Sequence, residues 1–104
     1  MFGLGRRKAT PVPPEVLERK HAVVTDAEIE ERVAALTRDV SFARPESVTP
    51  QAAFETDLGM DALDVVELLM EVESEFGIAI DSGMADRLTT VGRLADHVKA
   101  EVRR

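Results

Sequence analysis

The sequence predicts an all-α fold, a bundle of three longer helices and one short third helix with a long first loop. Three observations carry this. Apolar residues recur at helical spacing in three segments: Ile29, Val33, Leu36 and Val40; Val65, Leu68, Leu69, Val72 and Phe76; Val91, Leu94, Ala95, Val98 and Val102. The first and last segments are preceded by Thr, a residue type that caps helix starts. No stretch alternates apolar and polar residues as a half-buried strand does. At 104 residues the chain holds one domain with a modest core, and it shows no repeat.

Residues 1–24 read as a flexible extension, and residues 25–104 as the helical domain. Pro11, Pro13 and Pro14 discourage helix there, and large apolar residues lack a period. The first helix starts at Thr25, which with Glu28 forms a capping box, while Asp26 places negative charge in the first turn. Arg44-Pro45 closes that helix region. In the connection, Thr49-Pro50 predicts one short helical turn, with Phe54 as the only bulky anchor. The second helix runs from Ala62 to Phe76 and stops at Gly77. After the anchors Ile78 and Ile80, a short helix starts at Asp81 or Ser82 and ends near Leu88. Thr89 or Thr90 caps the last helix.

Charge and composition exclude several functions. The net charge is −7, split between +3 over residues 1–25 and −10 over the rest. Eight carboxylates and no Lys or Arg lie between Asp61 and Asp86. Such a field repels nucleic acid and favours basic protein partners. Without cysteine there is no disulfide, thiolate nucleophile or thiolate metal site. No apolar run approaches the ~18 residues that span a bilayer. The start, through Arg6-Arg7, lacks the apolar segment of a secretory signal, so a cytoplasmic protein without membrane insertion is expected. His21 and His97 have no nucleophile beside them, and Asp64, Glu67 and Glu71 without histidine read as a solvated face rather than a metal site. An enzyme is not expected.

The second helix carries more apolar surface than one core stripe needs. At ~100° per residue, Leu63, Val66 and Met70 form a second row about 130° from the first, flanked by Asp64, Glu67, Glu71, Glu75 and Glu73. Two arrangements satisfy this pattern. Either the row is a docking surface whose acids pair with partner Lys and Arg, or the loops wrap over both rows and the acids maintain solubility.

Asp57-Leu58-Gly59-Met60-Asp61-Ala62-Leu63-Asp64, with the acidic helix that follows, resembles the prosthetic-group site of acyl carrier proteins. Ile29 to Val33, Val48-Thr49-Pro50 with Phe54, Glu73 to Ile80 and Leu88 to Gly92 extend the likeness over roughly residues 29–100. In that family a serine of this motif holds 4'-phosphopantetheine; here the position is Ala62, beside Asp61. The resemblance implies a four-helix bundle of acyl-carrier type. It places partner contacts at Leu63, Asp64, Val66, Glu67, Met70, Glu71 and Glu73, and an acyl pocket at Phe54, Leu68, Leu69, Val72, Ala85 and Leu88. The implied partners are basic surfaces of acyl-processing enzymes and the phosphopantetheinyl transferase, met by a monomer in fatty acid, polyketide or specialised lipid biosynthesis.

Three departures stand out. Alanine has no oxygen to form a phosphodiester, Ser82-Gly83-Met84 replaces acids common in relatives, and Ser41 to Pro45 lacks the usual glycine-containing loop pattern. Ser41, Ser47, Ser74 and Ser82 do not sit in the attachment context. As written, the chain therefore carries no cofactor; 4'-phosphopantetheine is implied only for a parent with serine at 62. Two origins of Ala62 fit: a serine exchanged to hold a real carrier unmodified, or a native variant serving as a non-catalytic interaction adaptor.

Overall fold

The computed structural model describes residues 25–103. They form four α-helices: α1 Asp26–Val40, α2 Ala62–Phe76, α3 Ser82–Ala85 and α4 Val91–Val102, with a 3-10 turn at Pro45–Ser47. The basic extension lies outside the described residues.

Helix starts follow the side chains that supply acceptors. Thr25 Oγ1 accepts from Glu28 N and Glu28 Oε1 accepts from Thr25 N, both at 3.1 Å. Thr90, rather than Thr89, caps α4, accepting from Arg93 N at 3.1 Å. α2 has its expected bounds and ends on Gly77, whose φ of +67° is the left-handed conformation that glycine adopts without strain.

α1 ends sooner than the Arg44-Pro45 signal implies. Ser41 is already extended, although its N–H still donates to Thr37 O at 2.9 Å. Pro45 instead opens the 3-10 turn. Thr49-Pro50 makes no helical turn: Ala52 N donates to Thr49 O, and the chain then leaves for a different partner. Ala53 pairs with Thr90 in an isolated antiparallel bridge, Phe54 N donates to Thr89 O at 3.0 Å, and Val91 N to Ala52 O at 3.1 Å. Donors that a helix would have used are spent on the segment before α4. The short third helix stops at Ala85 rather than near Leu88, because Arg87 N and Leu88 N donate three residues back, to Met84 O and Ala85 O, in place of a continued α-helix.

The core gathers residues from every part of this arrangement. Ile29 and Val33 of α1 meet Leu68, Leu69 and Val72 of α2 and Leu94, Ala95 and Val98 of α4. The first loop contributes Phe54, Leu58 and Met60, all buried, so Phe54 is not its only bulky anchor. Thr37 is buried where the sequence stripe placed Leu36 and Val40, which are only half-buried. It tolerates burial because its hydroxyl donates to Val33 O at 2.8 Å, one turn back.

α1 packs on both α4 and α2. Asp26 pairs with Arg103 and Glu30 with Lys99, so the start of α1 meets the end of α4, and Arg32 reaches Glu75 of α2. The hydrogen bond to Glu30 holds the Lys99 ammonium above its usual range, against an opposing effect of desolvation and with help from Asp96. Exposed pairs of this kind add ~0–1 kcal/mol each, so apolar burial dominates the packing.

One glycine marks where the first loop is pinned. Gly92 N donates to Pro50 O at 2.8 Å, and a Cβ on Gly92 would also stand 2.8 Å from that oxygen. Gly→Ala inside a helix ordinarily gains about 1 kcal/mol, but overlap with backbone atoms costs about 1–3 kcal/mol. Gly92→Ala is therefore expected to destabilise by up to about 2 kcal/mol, read as a lower urea midpoint at unchanged slope. A raised midpoint would mean that the loop yields freely.

Candidate functional site at the start of the second helix

The loop before α2 is closed on itself. Asp57 Oδ2 accepts from Ala53 N at 2.7 Å, Asp57 N and Leu58 N donate to Ala53 O, and Met60 N donates to Phe54 O at 2.9 Å. Gly59, at φ +67°, turns the chain between the buried side chains of Leu58 and Met60. These bonds deliver Asp61 to the helix start in a fixed direction. Asp61 Oδ1 accepts from Asp64 N at 2.9 Å and Asp64 Oδ2 accepts from Asp61 N at 3.2 Å. Both carboxylates thus satisfy backbone donors at the positive end of the helix. Ala62 follows as the first helical residue, and it is exposed.

The second apolar row is not wrapped by loops. Leu63 is 78% exposed, Val66 51% and Met70 60%. Around it the acids divide by what they hold. Glu67 is exposed. Glu73 is half-buried and accepts from Ile80 N at 2.6 Å, which fastens the segment after Gly77. Glu75 is the partner of Arg32. Glu71 is half-buried near the middle of the helix.

A cleft of about 360 Å³ opens beside Ala62. Phe54, Leu69, Ala85 and Leu88 line it, four of the six residues to which the resemblance gave an acyl pocket. Leu68 and Val72 do not; both are fully buried in the core. Val65 completes the apolar wall, Val66 joins the cleft to the exposed row, and Glu55, Thr56 and Asp86 add polar groups. The sequence pattern did not single out Glu55, Thr56 or Asp86, because three distant segments meet only after folding. Phe42, wholly exposed just after α1, is a further apolar residue that no periodicity flagged.

The residues present do not fit a covalently attached phosphopantetheine. Its phosphodiester needs a side-chain oxygen at position 62, where the chain has a methyl group. Ser82 sits at the start of α3, Ser41 is buried with its Oγ unpartnered, and Ser47 and Ser74 are exposed elsewhere. Among the described residues no cluster of three or more His, Asp or Glu is arranged to hold a metal ion, and no helix is long and apolar enough to cross a membrane.

Comparison with known proteins agrees with the all-α fold. Residues 31–98, more than half of the chain, match the family described as "Phosphopantetheine attachment site". The chain is 40% identical over 79 residues to the acyl carrier protein of Thermosynechococcus vestitus, an alignment covering 76% of this chain and 98% of that protein. Acyl carrier proteins are carriers that work with acyl-processing enzymes and are not themselves enzymes. The all-α bundle, the capped second helix and these matches together establish that the chain belongs to the acyl carrier protein family.

Proposed function

We propose that this chain presents the acidic face of α2 to basic surfaces of acyl-processing enzymes and of the phosphopantetheinyl transferase, without carrying an acyl group in the form given. The observation that carries this reading is the exposed row of Leu63, Val66 and Met70 beside Glu67. Apolar side chains held out of the core on a helix ringed by carboxylates suit a contact that is apolar at its centre and ionic at its rim. The setting is fatty acid, polyketide or specialised lipid biosynthesis in the cytoplasm, and the protein acts as a monomer. Asp61 and Asp64 fix the helix start, the row and Glu67 meet the partner, and the cleft beside Ala62 is where relatives would shelter an acyl chain. With Ala62 native, the same face serves an interaction adaptor.

The test uses coenzyme A, magnesium and a promiscuous phosphopantetheinyl transferase, with intact mass as readout. The chain as given is expected to gain no mass, and Ala62→Ser to gain one phosphopantetheine. An adduct on the unaltered chain would place the attachment site elsewhere. A serine variant that stays unmodified would show that the face no longer engages the transferase.

A further inference from the structure

The mismatch at residue 62 has a kinetic consequence. We infer that this chain is a dead-end competitor of loadable carriers, one that occupies the carrier site of the phosphopantetheinyl transferase and leaves it unchanged. The inference rests on the docking reading of α2 and adds to it a direction of regulation.

The first argument is chemical. Loading requires a carrier hydroxyl oxygen to bond to the phosphorus of coenzyme A that bears the pantetheine arm, as the hydroxyl proton leaves to a base and adenosine 3',5'-bisphosphate departs. The methyl group of Ala62 has neither the lone pair nor the acidic proton, so the complex can only dissociate.

The second argument is that the start of α2 is complete without that oxygen. The helix start is built by Asp61 and Asp64 through backbone N–H groups, and no bond in it uses the side chain of residue 62. Alanine is the best helix former, so the first turn does not fray for want of the serine. The apolar row stays exposed, and no Lys or Arg between Asp61 and Asp86 weakens attraction to a basic face. The missing hydroxyl could donate one hydrogen bond, to the base that takes its proton, and the net worth of such a bond, about 1 kcal/mol, keeps affinity within about tenfold of a serine-bearing carrier.

The third argument selects the partner. Enzymes that act on an acyl thioester grip the arm as well as the helix, and a chain without the arm is a poor rival there. The loading enzyme is different because its proper substrate is the bare protein. To it, this chain differs from a substrate by one atom at the reacting position.

The experiment measures loading of a serine-bearing acyl carrier protein by the transferase while the present chain is added. The expected result is a raised apparent KM for the carrier at unchanged kcat, with an inhibition constant within about tenfold of that KM. Met70→Glu or Leu63→Glu in the added chain should weaken inhibition at least tenfold, and Ala62→Ser should convert it into an alternative substrate. Inhibition absent at a hundredfold excess, while the serine variant is loaded normally, would overturn the inference and leave the docking face standing. No inhibition together with an unloaded serine variant would remove both. Inhibition that competes with coenzyme A instead of the carrier would also overturn it.

Discussion

Phe54→Ala is expected to lower the unfolding free energy by about 3–5 kcal/mol, a large share of the ~5–15 kcal/mol that holds a domain of this size. Phe54 is 1% exposed although it lies in a loop. Its backbone is tied on both sides, N–H to Thr89 O and carbonyl to Met60 N, so the chain cannot collapse into the space the ring leaves. The cavity would open toward the cleft beside Ala62, which Phe54 lines. Phe42, a phenylalanine in the same loop, is the internal control. It is 100% exposed, and Phe42→Ala should change stability by no more than about 0.5 kcal/mol. Urea unfolding of the two variants side by side reads the difference. Equal and small losses would mean that the loop is not part of the cooperative core.

The contrast between these two rings marks the limit of what the pattern of residues discloses. The start of α1 and the end of α2 were legible because their causes are local: Thr25 with Glu28 and Gly77 each act within a few residues. The face of α2 was legible for the same reason, since helical spacing alone separates Leu68, Leu69 and Val72 from Leu63, Val66 and Met70. The first loop was not. Its course is set by bonds from Pro50, Ala52 and Phe54 to the residues around Thr90, a pairing with no local signal. Thr37 escaped the apolar stripe because its burial depends on a hydroxyl satisfied by its own helix. Glu73 read as one more acid at the edge of the docking row, and only folding brings Ile80 N against it. The cleft draws on residues 53–56, α2 and residues 85–89, so its polar members emerge only in three dimensions.

Met70→Glu should weaken binding of the transferase by roughly ten- to a hundredfold, and Glu67→Lys should slow association and flatten its salt dependence. Burying Leu63, Val66 or Met70 contributes at most ~1.5–3 kcal/mol each, and part of Val66 is already covered in the free protein. Association itself costs ~4–15 kcal/mol, so three anchors and a rim of charges support affinity on the order of micromolar. Losing one anchor and placing a carboxylate at the apolar centre removes much of that margin. Charge pairs at the rim are screened over ~8 Å at physiological salt, so the parent's on-rate should fall as salt rises. Neither change should alter helicity. Both Glu67 and Met70 are exposed on α2, and a lysine in place of Glu67 would stand one turn from Asp64 and Glu71, where opposite charges favour the helix. Circular dichroism checks the fold, and stopped-flow titration at several salt concentrations reads the rates. If both variants bind like the parent while substitutions on α4 abolish binding, the docking face is not the row on α2. A micromolar contact built this way forms fast and breaks fast, as a protein that meets its partners in turn requires.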